Sequence, residues 1–108
     1  MALELKPLMF VGNSKEDLRS FPAEVKHAIG VELMRVQAGA DPTDFKPMQA
    51  VGRGAYELRV HIQGAWRAIY VARLRDAIYV LHAFQKKTRR TSRRDIDVAS
   101  RRYRSIGV

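Results

Sequence analysis

Hydrophobic positions recur along the chain with two different periods, and these periods predict its helices and strands. One helix is predicted to begin near Pro22, which suits a first helical turn, and to end at Gly39. Its apolar stripe has spacings of four and three residues and consists of Val25, Ile29, Leu33 and Val36. A shorter helix is predicted over residues 14–20, because Ser14 and Asp17 have the spacing of an N-terminal cap. The two helices together predict a helical hairpin.

Extended segments lie on both sides of this hairpin. Residues 3–11 are mostly apolar and end at a Gly-Asn turn, which predicts an edge strand. Residues 40–54 contain two prolines and two glycines and have the composition of a loop. Three strand-like runs follow over residues 56–62, 66–74 and 77–84, with connections short enough for antiparallel hairpins. We therefore expect a three-stranded antiparallel meander.

The first run of the meander has a charged side, because Glu57, Arg59 and His61 alternate with apolar residues. That sheet face is therefore predicted to serve something other than the core. After the last run, Ser92 and Asp95 predict the cap of a final, strongly basic helix. The elements together predict a single α+β domain over residues 1–108, with an N-terminal strand, a helical hairpin, the meander and a basic C-terminal helix.

The charge of the chain is strong and unevenly distributed. The 108 residues include 20 Lys and Arg against 11 Asp and Glu, for a formal net charge of +9, and nine of the basic residues lie within residues 86–108. Such an excess favours a polyanionic partner, of which nucleic acid is the natural candidate. The absence of cysteine from the sequence excludes disulfides, a thiol nucleophile and cysteine-ligated zinc.

The sequence also lacks the patterns of cofactor sites and membrane segments. It has no glycine-rich phosphate loop, no H-E-x-x-H pair and no EF-hand loop, so we expect chemistry without a metal or a small-molecule cofactor. The first ten residues lack a basic start followed by an apolar run, and no stretch approaches the roughly 18–20 apolar residues of a membrane span. We expect a cytoplasmic protein with no membrane partner.

Four basic residues of the meander are the first candidates for a functional site. Guanidinium and ammonium groups on a sheet face bind phosphates and stabilise the charge that grows in a phosphoryl-transfer transition state. The alternative is a solvated face with scattered ion pairs. The four residues are Arg59, Arg67, Lys86 and Lys87.

A basic tract continues beyond the last strand, and its arginines are expected to contact RNA phosphates without reading bases. The same arginines equally suit a docking surface for an acidic partner protein. They are Arg89, Arg90, Arg93 and Arg94.

Cleavage of RNA also needs groups that carry protons, and two candidates share the charged face. Glu57 is either a general base or an ion-pair partner of Arg59, and His61 lies near the end of its strand. Spacing alone prefers neither as the base. His82 lies within an apolar run, where a buried, hydrogen-bonded imidazole is the commoner outcome.

An ordered set of motifs over residues 11–102 has a familiar pattern. In chain order the motifs are Phe21-Pro22, Lys46-Pro47, Y-E-L-R at 56–59, W-R-A-I-Y at 66–70 and L-H-A-F-Q-K-K-T at 81–88. Together they resemble the phage-derived, HigB-like branch of the RelE/ParE toxin superfamily. The resemblance implies a RelE-like fold and the toxin of a type II toxin–antitoxin system, which enters the ribosome, cleaves mRNA as an endoribonuclease, and is silenced by an antitoxin with a helix-turn-helix domain.

The resemblance also assigns roles to the basic residues of the meander. It implies that Arg59 orients the phosphate, and that Arg67 with the pair Lys86 and Lys87 stabilises the transition state. The chain departs from the best-known RelE enzymes at three positions, because Ala55 and Glu57 stand where they carry lysines and Arg93 stands where they carry a tyrosine. The alternative is a non-catalytic RNA- or ribosome-binding module of the same fold.

Overall fold

The fold was analysed in a computed structural model, which describes residues 4–72, 74 and 76–107. Residue 3 of the predicted edge strand and residue 73 of the second meander run lie outside the described residues. Within the described residues the chain forms five strands and three helices, an α+β architecture. In chain order the elements are β1 (Leu8–Phe10), α1 (Ser14–Arg19), α2 (Ala23–Gln37), β2 (Phe45–Pro47), β3 (Ala55–His61), β4 (Ala65–Val71), β5 (Ile78–Lys86) and α3 (Arg93–Ser105).

The strands form one mixed sheet in the order β1-β5-β4-β3-β2. Strands β3, β4 and β5 pair antiparallel, as the meander prediction requires, and β1 pairs parallel to β5 at one edge. The prediction of an unbroken loop over residues 40–54 was wrong, because β2 lies within it and pairs antiparallel with β3. Pro47 is compatible with this strand, since it lies at the end of an edge strand where its missing N–H costs little.

One face of the sheet is covered by α2, whose predicted apolar stripe is fully buried. The stripe packs against Leu58 and Val60 of β3 and against Trp66, Ala68 and Tyr70 of β4. These strand residues alternate along the pleat, so they all point to the same side. The stripe itself consists of Val25, Ile29, Leu33 and Val36.

The predicted cap at Ser14 is absent, because this residue anchors the helix to the sheet instead. Asn13 precedes α1 and makes no side-chain cap, while Ser14 is buried and its Oγ donates a 3.0 Å hydrogen bond to the carbonyl of Val80. Its hydroxyl therefore satisfies a strand carbonyl. The predicted end of α2 at Gly39 agrees closely with the observed end at Gln37. Gly39 follows the helix with a φ of 90°, a conformation that favours glycine.

The second face of the sheet was expected to be free of core, and the structure corrects this. Helix α3 packs on it, and a second apolar cluster lies beneath the helix. The register of β4 against β5 shifts between Ile69 and Tyr70, which leaves Leu81 without a partner. Such a bulge turns two successive side chains to the same side. The cluster consists of Met48, Val51, Ala55, Ile69, Val71, Leu81, Phe84 and Ala99.

Helix α3 is fixed at both ends. At its start, Ser92 Oγ accepts a 3.1 Å hydrogen bond from the backbone N–H of Asp95, which confirms the predicted cap. Near its end, the ring of Tyr103 lies directly over Gly52, and its hydroxyl donates a 2.6 Å hydrogen bond to the carbonyl of Arg53. None of the helices that the structure describes has the length and apolar character needed to cross a membrane.

Candidate functional site

A buried carboxylate lies at the centre of the sheet face that α3 covers. Glu57 of β3 is 1% exposed, and its Oε1 lies 3.6 Å from Nε of Arg59 and 3.4 Å from Nε of Arg67. The two arginines are direct cross-strand neighbours on β3 and β4. The other carboxylate oxygen, Oε2, accepts a 2.6 Å hydrogen bond from the hydroxyl of Thr91. Three segments thus meet at one carboxylate.

The two arginines of this cluster differ in exposure. Arg67 is 4% exposed and its Nη1 donates to the carbonyl of Trp66, whereas 28% of the Arg59 side chain is exposed. Burial lowers the pKa of Arg67, the nearby Glu57 counteracts this, and the like charge of Arg59 adds to the lowering. Arginine stays protonated at neutral pH even so, because a guanidinium group loses its proton only in strong alkali. Arg59 is therefore the arginine that an external phosphate reaches first.

His61 lies at the open end of the same face. Its side chain is 64% exposed, and its Nε2 is 3.9 Å from Oδ2 of Asp44. The other oxygen of Asp44 lies 3.9 Å from Nη1 of Arg59, so a single carboxylate lies beside both the imidazole and the guanidinium group. The imidazole of His61 is accessible to a ligand, whereas the carboxylate of Glu57 is buried.

The sheet register aligns these side chains in rows across three strands. His61, Ala65 and Lys86 form one row, and Arg59, Arg67 and Phe84 form the next. Neighbouring strands are about 4.8 Å apart, so the backbones of His61 and Lys86 are roughly 10 Å from each other. Only the methyl group of Ala65 lies between their side chains. This end of the face is therefore lined by cations around a small gap.

The remaining predicted residues lie on the segment that leaves β5 and in the first turn of α3. Lys87 is exposed and borders a cleft of about 420 Å³ next to the start of α3, where Arg94 also lies. Arg89 and Arg90 are exposed, and Arg93 lies 3.6 Å from Asp97 on the outer face of the helix. The segment of residues 87–92 begins at this cleft, where Lys87 lies. It reaches the sheet face at Thr91, which is bonded to Glu57.

A family model matches residues 16–104, most of the chain, and describes phage-derived Gp49-like proteins (DUF891). The chain belongs to this family. Gp49-like proteins are part of the RelE/ParE-like toxin superfamily, are associated with the toxins of toxin–antitoxin systems and typically have RNase activity. The predicted membership in the RelE/ParE toxin superfamily is therefore confirmed, whereas the HigB-like branch stays a prediction. No curated protein sequence matches the chain.

Two contacts of this Gp49-like protein are not predicted by any pattern in its sequence. Thr91 carries no pattern that predicts its bond to Glu57, 34 residues earlier. His82 was expected to be buried and hydrogen-bonded, and its Nε2 lies 2.7 Å from Oδ1 of Asp95, but the partner was not identified. The cap motif places Asp95 in the first turn of α3 but does not identify it as the partner of His82.

The described part of the Gp49-like chain contains no group of three or more His, Asp or Glu residues arranged to hold a metal ion. Several of its acidic side chains have cationic or hydroxyl partners. Asp95 illustrates this, since its two carboxylate oxygens lie 2.7 Å from His82 Nε2 and 2.7 Å from Ser92 Oγ.

Proposed function

We propose that this Gp49-like protein is the toxin of a type II toxin–antitoxin system of the HigB-like branch, which cleaves mRNA on the ribosome and so inhibits translation. Membership in a toxin family supports the class of activity. The observation that carries the proposal is the cation-lined end of the sheet face, where His61 and Lys86 flank the row of Arg59 and Arg67. A phosphodiester is the ligand that suits such a face.

The reaction proposed is an internal transfer at the scissile phosphate, without a metal ion. The ribose 2′-oxygen attacks phosphorus and loses its proton, the bond to the 5′-oxygen breaks, and that oxygen gains a proton. Negative charge grows on the non-bridging oxygens in the transition state, and fixed cations stabilise it. Arg59 contacts these oxygens from the exposed side, while Lys86 adds charge from the neighbouring row. The buried guanidinium group of Arg67 makes the electrostatic potential at this face more positive and holds Glu57 in place.

Proton transfer is assigned to His61, because an imidazole titrates near neutral pH and this one is exposed. Glu57 is unsuited to the same task, since it is 1% exposed and bonded to Thr91. We assign Glu57 to positioning, because its carboxylate holds the two guanidinium groups on one face. Asp44 lies beside His61, with its Oδ2 3.9 Å from Nε2, and holds the imidazole at the edge of the face.

The second candidate function is a non-catalytic RNA- or ribosome-binding module. It is favoured by the burial of Arg67 and Glu57, the latter bonded to Thr91, because two of the expected catalytic positions are then out of contact with a ligand. The exposed arginines 89, 90, 93 and 94 serve RNA binding equally well in either function. The two functions differ in whether new RNA ends appear.

The test is induction of the protein in growing cells, followed by mapping of mRNA ends on translating ribosomes. The wild type is expected to produce ends in phase with codons. The Arg59→Gln and His61→Gln variants are expected to produce none while remaining folded. The matched control is Arg19→Gln, which removes one charge from the exposed end of α1.

One outcome would decide against cleavage, and another against the assigned site. If the folded wild type produces no new ends but sediments with ribosomes, the binding module replaces the nuclease. If Arg59→Gln and Arg19→Gln cut equally well, the active site lies elsewhere. The proposed partner is an antitoxin with a helix-turn-helix domain, and its co-expression from a neighbouring gene should abolish the new ends.

A further inference from the structure

A second basic site lies outside the cleavage face, in the cleft between α1, the end of β5 and α3. The cleft has a volume of about 420 Å³ and is open to solvent. Lys87, Arg94 and Arg102 contribute cationic side chains to its walls. Within residues 4–72, 74 and 76–107, none of the three lies within 4.0 Å of a carboxylate oxygen. Their charge is therefore available to an external anion.

The two carboxylates that border the cleft are not equivalent. Asp95 is engaged on both oxygens, by His82 and by the hydroxyl of Ser92, and it lies in the first turn of α3, where the helix dipole favours a negative charge. Asp17 of α1 also lines the cleft, and it makes no ion pair with a described cation. Asp17 is consequently the carboxylate whose charge opposes an incoming anion.

Further hydrogen-bond donors lie in and beside the cleft. Arg102 is held by a 2.9 Å hydrogen bond from its Nη1 to the carbonyl of Leu81, and its guanidinium packs on Gly12. This rigid placement leaves its remaining N–H groups as donors. In addition, the first N–H groups of a helix have no partner within the helix, and those of Arg93 and Arg94 make no loop or cap hydrogen bond among the described residues.

We propose that this cleft binds a phosphate group of single-stranded RNA. The identity of the ligand rests on the proposed function, which makes RNA the substrate. Segment 87–92 connects the two places, because Lys87 lines the cleft and Thr91 is bonded to Glu57 on the cleavage face. RNA that follows this segment is held at the cleft by one phosphate while another lies over Arg59. The cleft thus anchors the strand next to the position of cleavage.

The test measures binding of a short 2′-O-methyl RNA, which has no 2′-hydroxyl and cannot be cut. Binding is followed by fluorescence anisotropy at several salt concentrations. Arg94→Gln is expected to reduce the slope of log affinity against log salt by about 0.7, the contribution of one phosphate on a single strand. The matched control Arg101→Gln removes the same charge from an exposed position on the same helix and should leave the slope unchanged.

A second pair of variants moves the affinity in the opposite direction. Asp17→Asn removes the opposing charge and is expected to tighten RNA binding about threefold, in keeping with a unit charge a few ångströms away in water. Glu16→Gln makes the same charge change one residue earlier, outside the cleft lining, and should alter affinity much less. Damage to the fold would weaken RNA binding, so it does not explain a gain of affinity in the Asp17→Asn variant.

The inference is overturned if Asp17→Asn and Glu16→Gln have equal effects, or if Arg101→Gln weakens binding as much as Arg94→Gln. A titration with inorganic phosphate, followed by the NMR shifts of the amides of residues 88–94, separates the sources of the anion. Shifts with inorganic phosphate but none with the RNA would overturn the assignment to RNA. Because the 2′-O-methyl RNA cannot be cleaved, its binding does not depend on nuclease activity. If it binds at the cleft but induction of the protein produces no new mRNA ends, the proposed nuclease function is contradicted and the binding site is not.

Discussion

Thr91 donates a 2.6 Å hydrogen bond to Oε2 of Glu57, and this contact fastens the segment between β5 and α3 onto the sheet. It completes the coordination of a carboxylate that is 1% exposed and already lies beside two arginines. A buried carboxylate without such partners is costly, because its charge loses hydration. The segment and the charged cluster therefore stabilise each other.

Thr91→Val should lower the free energy of unfolding by about 2 kcal/mol, within the range for a lost hydrogen bond to a charged group. The substitution preserves the shape of the side chain and removes the hydroxyl that Glu57 needs. Thr91→Ser keeps the hydroxyl and should retain most of the stability. Urea unfolding of the three proteins measures the difference. Equal midpoints for the valine variant and the wild type would show that the hydrogen bond contributes nothing.

Arg67→Met should destabilise the protein by about 3 kcal/mol, because removal of one partner leaves a buried carboxylate undercompensated. This loss of unfolding free energy is at the lower end of the range for a broken buried ion pair, because Arg59 still lies 3.6 Å from Glu57. Adding Glu57→Gln to this variant removes the unpaired charge and should restore part of the loss. The quantity to measure is the coupling free energy of the double-mutant cycle, from denaturant unfolding. Additive effects would mean that the two side chains do not interact in solution.

The sequence predicted the elements whose signal is local. The stripe from Val25 to Val36 repeats with the helical period, and the alternation of Glu57, Arg59 and His61 follows the pleat, so each is visible within a few residues. Ser14 shows the limit of this approach. Its spacing to Asp17 has the form of a cap, but a bond to Val80, 66 residues away, determines its role.

The candidate site was predictable in composition but not in accessibility. The residues of the charged face are evident from alternation, and Glu57 does lie beside Arg59, as one of the two interpretations of this residue required. What covers that face depends on where α3 packs, and this depends on the bulge at Leu81 and on tertiary contacts of Thr91 and Tyr103. None of these contacts has a local sequence signal, because each joins segments far apart in the chain.

The stability of the protein should fall at alkaline pH through Tyr70. Burial raises the pKa of Tyr70, and Asp41, Tyr56 and Glu32 raise it further. The unfolded chain therefore loses this proton first, near pH 10, so the stabilisation is complete below that pH and is lost as the pH rises towards the folded value. The loss from this group is at most about 1.4 kcal/mol per pH unit.

Tyr70→Phe removes that titration and should flatten the fall in stability between about pH 10 and 11.5. Denaturant unfolding at a series of pH values measures the slope for both proteins. The comparison between them removes the effect of lysines, which titrate over the same range in each. Identical slopes would mean that Tyr70 ionises as readily in the folded protein as in the unfolded chain.

Gly52 and Gly30 should respond to alanine with opposite signs. A Cβ atom on Gly52 would lie 2.5 Å from the ring atoms Cε1 and Cζ of Tyr103, so Gly52→Ala forces α3 away from the sheet and should cost about 1–3 kcal/mol. Gly30 lies within α2 and is exposed, and a Cβ added there would meet no atom within 4 Å, so Gly30→Ala should stabilise the protein by about 0.5–1 kcal/mol. Thermal unfolding measures both changes. Because Gly52 lies against a single ring, Tyr103→Leu should reduce the cost of Gly52→Ala, and an unchanged cost in that background would place the strain elsewhere.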